Sequence, residues 1–322
     1  MKIAILGGGS CFGLNFARLL AAEGIEHFGI GRTLKPAPFW LAPKNYSFYE
    51  MHLVDELPKV MMLLDALKPD VILNIAAQGE GAASFGANAA DFYRTNTWGL
   101  IRLTGELSLR DYVQRFIQIG TSEIYGSVEK PSKETDPVYP NSPYAISKWA
   151  FDRHLEVMFK IHKFPMNIIR PSNCITEGQQ LYRIVPKAAV HAFAKKKLPL
   201  HGGGKAQKSY LHATDLSRAI LAVLNKGHLG KVYNCGPAGP ISIRAVVNHV
   251  VEACGVSWEE LVEETEDRVG QDGKYWLDSS ELAKDTGWTQ TVGLPRGIES
   301  VVRWVKDWPE LLHYPTTYEH RA

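Results

Sequence analysis

The run Lys2-Ile3-Ala4-Ile5-Leu6 leads directly into Gly7-Gly8-Gly9-Ser10-Cys11-Phe12-Gly13, and a helical pattern follows over 13–23. A strand that turns through glycine into a helix leaves few choices of fold. Missing side chains let backbone N–H groups approach a pyrophosphate, and the helix N-terminus favours its charge. The plain alternative is a tight turn and nothing more. The spacing is G-x-x-S-x-x-G, so Ser10 stands where a second glycine is usual.

The rest of the first half keeps the same rhythm. Apolar runs over 2–6, 27–31, 47–51, 70–76, 115–120 and 165–170 predict strands. Amphipathic stretches near 13–23, 56–67, 91–109 and 142–162 predict helices between them. Such alternation implies parallel pairing, right-handed crossovers and a doubly wound α/β sheet. Val71-Ile72-Leu73-Asn74-Ile75-Ala76 is apolar on both faces, as a sheet covered by helices requires. The expected organisation is a dinucleotide-binding Rossmann domain over 1–171 and a smaller substrate lobe over 172–322. Some chain is expected to return to the main sheet near 209–236. Helices are expected at 184–195, 214–225, 242–254 and 295–307, and 256–275 reads as loop or lid.

Composition narrows the function classes. The 322 residues, 45% of them hydrophobic, suffice for a large core. The net charge of +2 does not suggest broad binding to nucleic acid or to a membrane surface. Cys11, Cys174, Cys235 and Cys254 form no C-x-x-C pair, and no His/Cys group has metal spacing. No metal site is expected. With no leader pattern and no long apolar span, a cytoplasmic protein is the expectation.

The second strand ends Gly29-Ile30-Gly31-Arg32-Thr33, with no acid to meet ribose hydroxyls. A guanidinium pairs with a 2′-phosphate that a carboxylate would repel. NADP is therefore favoured over NAD, with a solvated surface arginine as the alternative.

Tyr144 and Lys148 share one helix face in Ser142-Pro143-Tyr144-Ala145-Ile146-Ser147-Lys148. A lysine beside a phenol, near a positive ring, lowers the tyrosine pKa and fits it for acid/base work. With 13 Tyr in the chain a Y-x-x-x-K match arises by chance, so position carries the argument. The fifth strand ends in Thr121-Ser122-Glu123, where parallel sheets bind ligands. A hydroxyl and an acid capping a turn is the other reading.

With these residues the chain resembles the extended short-chain dehydrogenase/reductases of the nucleotide-sugar epimerase/dehydratase group. Ala76-Ala77-Gln78 through Ser84-Phe85, Gly29-Ile30-Gly31-Arg32 and Thr121-Ser122-Glu123 are similar to GDP-mannose 4,6-dehydratases. Asn173, Pro199-Leu200-His201-Gly202, Glu266-Asp267-Arg268-Val269-Gly270-Gln271-Asp272 and Leu282–Trp288 look more like dTDP-glucose 4,6-dehydratases. The chain departs from that pattern at His52 (usually aspartate), Glu80 (usually histidine) and Lys208-Ser209 (usually arginine-aspartate).

The resemblance implies a tightly bound dinucleotide held by Gly7, Ser10, Cys11, Phe12 and Gly13. It adds Arg32, His52, Ala76, Ala77, Gln78 and Asn96, and then Tyr144 and Lys148. It implies a nucleotide-diphosphate sugar bound by Ser84, Asn173, Lys187, Leu200, His201, Lys208 and Arg268. Thr121, Ser122, Glu123, Tyr144 and Lys148 would do the chemistry, oxidising C4, eliminating water across C5 and C6, and returning hydride to C6. A 4-epimerase, a UDP-glucuronate decarboxylase, a 4-ketosugar reductase and a catalytically silent dinucleotide-binding regulator are the competing readings. Helices near 91–109 and 142–162 match those that form a four-helix homodimer interface in this group.

Overall fold

The structure, a computed structural model, describes residues 1–33, 38, 39, 41–266 and 273–320. Strands β1 (Lys2–Leu6), β2 (Glu26–Gly31), β3 (Ser47–Glu50), β4 (Val71–Asn74), β5 (Arg115–Ile119) and β6 (Met166–Pro171) follow the predicted runs. Helices α1 (Cys11–Ala22), α2 (Leu57–Leu67), α3 (Ala89–Tyr93), α4 (Gly99–Leu107) and α5 (Pro143–His162) lie between them. Farther along come β7 (Asn173–Ile175), α6 (Ile184–Phe193), β8 (Leu198–His201), β9 (Gln207–Lys208), β10 (Tyr210–His212), α7 (Ala213–Lys226) and β11 (Val232–Cys235). The rest are β12 (Ile241–Ser242), α8 (Ile243–Cys254), α9 (Trp258–Leu261), β13 (Val262–Thr265), β14 (Lys274–Tyr275), α10 (Ser280–Thr286) and α11 (Leu294–Asp307).

The main sheet runs β11-β6-β5-β4-β1-β2-β3, with every pair parallel. Alternate residues bury alternate faces. Ala4, Leu6, Ile72, Phe116 and Ile168 pack with Val60, Leu64, Leu103, Phe151 and Leu155 of α2, α4 and α5. Ile3, Ile5, Leu73, Ile117 and Ile169 pack with Phe16, Leu20, Leu216 and Ile220 of α1 and α7. Both faces are covered, which is why the strands read as unbroken apolar runs. Within 209–236, β11 joins the main sheet by pairing with β6, in register Val232 to Ile168, while β10 pairs with β7 in a separate two-stranded sheet.

The lobe has its own core, built by Val185, Ala188, Val247, Val250, Val301 and Val305 of α6, α8 and α11. Part of 256–275, expected as a loop or lid, is regular structure instead. Ser257 opens α9 through a capping box with Glu260, and β13 then pairs parallel with β8. Leu261 and Val262 are buried there. The missed signal was the S-x-x-E spacing of Ser257 and Glu260.

The helix expected over 91–109 contains a π-helical turn, Arg94–Trp98, between α3 and α4. That turn sets Asn96 and Thr97 against α5. Asn96 Nδ2 donates to Ser147 Oγ at 3.0 Å, and Thr97 Oγ1 donates to the Ser147 carbonyl at 2.8 Å. Among the described residues no helix is long and apolar enough to cross a membrane.

Candidate active site

The sheet order reverses at β1, whose neighbours are β2 on one side and β4 on the other. Beyond the carboxyl ends of β1 and β4 lies the crevice where such sheets take ligands. Gly7 forms its floor at φ +80°, and a Cβ there would meet Ala76 N at 2.7 Å. A Cβ on Gly13 would meet the Gly7 carbonyl oxygen at 2.6 Å. Ser10 caps α1, its Oγ accepting from Gly13 N at 3.0 Å. The cradle is therefore bare backbone at a capped helix N-terminus. It fits a dinucleotide pyrophosphate by close approach and by sign of charge.

From this cradle a cavity of about 620 Å³ runs to the lobe. Ser10, Phe12, Ala77, Thr121, Ser122, Glu123, Tyr144 and Lys148 line one part, and Asn173, Lys187, Leu200, His201 and Lys208 line the other. Arg268 lies outside the described residues.

Other expected residues stand behind the wall. Gly7, Cys11, Gly13 and Ala76 shape the cradle. Asn96 is fully buried and accepts from Gln78 N at 2.8 Å, so it fixes Gln78. Ser84 is also fully buried. Its Oγ accepts from Tyr144 N at 3.1 Å and donates to the Gly81 carbonyl at 2.6 Å, which anchors the start of α5. His52 Nδ1 accepts from Asp55 N at 3.1 Å, closing the turn before α2. Arg32 is exposed just beyond β2.

The side chains expected to do the chemistry sit close together. The Tyr144 phenol hydrogen-bonds the Thr121 side chain and feels the Glu123 carboxylate. Burial and then Glu123 push its pKa up, while Thr121 and Arg183 pull it down. Lys148 Nζ donates to the Ile119 carbonyl at 2.6 Å. Burial pulls that ammonium down to about 8, against the pull of Asp152 one turn on. Arg183 is a cation that bears on Tyr144.

Arg183 and Tyr275 were not expected from the sequence, and Glu80 stood there only as a departure from the family pattern. Arg183 and Glu80 face each other from two sides of the cavity with 2.9 Å between charged atoms. Tyr275 Oη accepts from Asn173 Nδ2 at 3.0 Å, and the Lys208 ammonium lies 5.2 Å from its ring centroid. Neither Arg183 nor Tyr275 belongs to a local motif, so only the folded chain brings them in. The departure at Glu80 was visible, but its partner was not.

A family model described as the NAD dependent epimerase/dehydratase family matches residues 3–236. The chain belongs to this family. Among curated relatives, a dTDP-glucose 4,6-dehydratase of Streptomyces niveus is 29% identical, over 98% of this chain and 96% of its own. One from Streptomyces griseus is 33% identical, over 73% and 71%. The crystal structure of DesIV, a dTDP-glucose 4,6-dehydratase from Streptomyces venezuelae with NAD and TYD bound, superposes with a TM-score of 0.88. It is 26% identical and the match covers 97% of this chain and 98% of that one. Family, cradle and cavity agree on a nicotinamide dinucleotide.

Proposed function

We propose that the chain is a nucleotide-sugar 4,6-dehydratase, converting an NDP-hexose to an NDP-4-keto-6-deoxyhexose and water. The observation that carries this reading is the convergence of Thr121, Glu123 and Tyr144 on one wall of the cavity. An epimerase needs the phenol and the hydroxyl but no carboxylate base; Glu123 supplies one.

When bound, the dinucleotide accepts and returns the hydride, and its oxidised ring adds positive charge that favours the Tyr144 phenolate. Tyr144 Oη takes the proton of the sugar 4-hydroxyl. Thr121, already bonded to that phenol, orients the hydroxyl. The 4-ketone acidifies C5–H, and Glu123 removes this proton. The C6 hydroxyl leaves as water, with the proton delivered from Glu123. C5 then regains a proton, matching the one Tyr144 took from the 4-hydroxyl, while the dinucleotide, when bound, would supply the hydride that C6 receives. C4 is oxidised and C6 reduced, so the cycle is redox-neutral.

Arg183, Lys187, Lys205 and Lys208 line the cavity and give it the positive charge a diphosphate needs. Leu200 and His201, at the end of β8 and lining the cavity, are our candidates for reading the nucleoside. NADP rather than NAD is our reading of the cofactor, supported by Arg32 after β2; comparing affinities for the two dinucleotides tests it. A homodimer through α4 and α5 is supported by the exposed side chains of Trp98, Ile146 and Val157. A cytoplasmic site of action suits four free cysteines.

The test is to incubate the protein with a panel of nucleotide hexoses and weigh the products. Loss of one water supports the proposal. Unchanged mass with a new sugar supports epimerisation, and loss of carbon dioxide from a uronate supports decarboxylation. Tyr144→Phe should bind dinucleotide and lose turnover.

A further inference from the structure

Residues 314–320 run from contacts with the lobe to contacts with the sheet side, with ties at Tyr314, Thr316, Tyr318 and His320. The Tyr314 ring meets Phe39 edge-on at 5.3 Å. Thr316 Oγ1 hydrogen-bonds His191 Nε2 at 3.1 Å. The Tyr318 ring stands edge-on to Tyr182, on the cavity wall, at 5.2 Å.

The segment then reaches the sheet side. Gln78 Nε2 donates to Tyr318 Oη at 3.3 Å, and Tyr318 Oη donates to His320 Nδ1 at 3.2 Å. His320 Nε2 donates to Asp91 Oδ2 at 2.8 Å. The His320 ring stacks on Phe92 at 6.0 Å, and Phe92 meets the Tyr144 ring edge-on at 6.3 Å. Glu80, Arg183 and Arg32 all act electrostatically on the Tyr318 phenol. Tyr318 is thus within electrostatic reach of Arg32, just beyond β2, and of the Glu80–Arg183 pair. Segments beyond a domain's last helix ordinarily fray unless something ties them down. Here the ties go to Gln78, beside the cradle, and to Phe92, against Tyr144.

We propose that residues 316–320 are a clasp over the bound dinucleotide, with Tyr318 and His320 as positioning residues that hold Gln78 and Phe92. The proposal rests on the dinucleotide reading above. The clasp spans both walls of the cleft, so release requires the Gln78–Tyr318 and Asp91–His320 bonds to open together. Retention through the whole cycle is what a returned hydride demands.

The experiment measures dinucleotide dissociation from the full chain, by stopped-flow tryptophan fluorescence with NAD and with NADP. The double variant Tyr318→Phe/His320→Ala should release dinucleotide faster by about tenfold or more, as expected for two lost hydrogen bonds. Its Tm and its KM for the sugar nucleotide should stay those of the wild type. Asp91→Asn, which weakens the same bond from the other end, should shift release in the same direction, and His320→Gln should restore part of it. Unchanged release in both variants overturns the clasp, as does a release rate that rises only in step with a falling Tm. A wild-type chain that binds neither dinucleotide overturns the site reading and the clasp together.

Discussion

Arg183, at the residue before α6, and Glu80, after β4, bridge the cleft with 2.9 Å between guanidinium nitrogen and carboxylate oxygen. Glu80 holds φ +111°, which a non-glycine residue seldom adopts. Backbone of this kind persists where surrounding contacts over-determine it, and it gathers at functional sites. Burial works against the Arg183 charge, but Glu80, Tyr182, Tyr144 and Glu123 outweigh it and hold the guanidinium ionised. The pair therefore presents a fixed cation to the reacting groups.

Arg183→Gln removes a positive charge from beside the phenol. The Tyr144 pKa then rises, by about one unit on the scale of such charge losses. In the proposed mechanism Tyr144 is ionised when it accepts the proton, so the acid limb of the rate profile should move to higher pH. A pH–rate profile of kcat in which that limb stays in place would show that Arg183 has no part in setting the phenol.

Glu123→Gln keeps the shape of the acid and removes the base. Oxidation at C4 should survive, so absorbance of reduced nicotinamide should build up on mixing with substrate. Water loss should fall by about 10²–10⁴-fold, the range for a general acid–base group. Mass spectrometry in D₂O checks it: the variant's product fraction should be small, with incorporation at C5 suppressed. Dehydration at the wild-type rate would remove Glu123 from the mechanism.

Lys148 is a buried cation whose folded pKa, about 8, lies below the unfolded value of about 10.4. Below pH 8 both states bind the proton and the desolvation cost is present in full. Between these two values the unfolded chain binds more protons, so folding stability rises with pH. Lys148→Met should abolish turnover yet be more stable than wild type at neutral pH, by about 2–3 kcal/mol. That gap should close as pH rises through the window. Urea midpoints of both proteins, at matched cofactor loading across that range, decide it.

Asp152 and Arg170 form an ion pair at 3.0 Å with almost no exposure on either side. Arg170 Nη1 also donates to Tyr125 Oη at 3.1 Å, and Tyr125 donates to Asn234 Oδ1 at 3.0 Å, tying α5 to β6 and β11. Asp152→Ala removes the nearer of the two carboxylates on the buried Arg170 guanidinium, leaving Glu156 at 3.7 Å, and should cost about 3 kcal/mol. The double variant Asp152→Ala/Arg170→Met should recover most of that loss. Chemical denaturation of the three proteins is the measurement, and equal losses in single and double variants would contradict it.

Much of the site could be read along the chain because its parts are local. Gly7 to Gly13 is one turn, Thr121 to Glu123 is one strand end, and Tyr144 with Lys148 is one helix face. Each is dictated by backbone geometry over a few residues. The roles of Ser84 and Asn96 were not legible in the same way. Both look like polar groups available to ligands, and both are buried and satisfied inside the fold. Which side of the wall a polar residue occupies depends on packing between helices, not on its neighbours in sequence.

The sequence by itself determined the doubly wound sheet, the glycine cradle and the local placement of Thr121, Glu123 and Tyr144, since alternation, turn chemistry and helical spacing act at short range. Tertiary structure alone decided that Arg183 meets Glu80, that Tyr275 joins Asn173 to Lys208, and that Tyr318 and His320 close on Gln78 and Asp91. Those partners lie far apart in the chain, and no local preference specifies them. They meet because the clusters on the two faces of the sheet and the lobe's own cluster set the distance across the cleft.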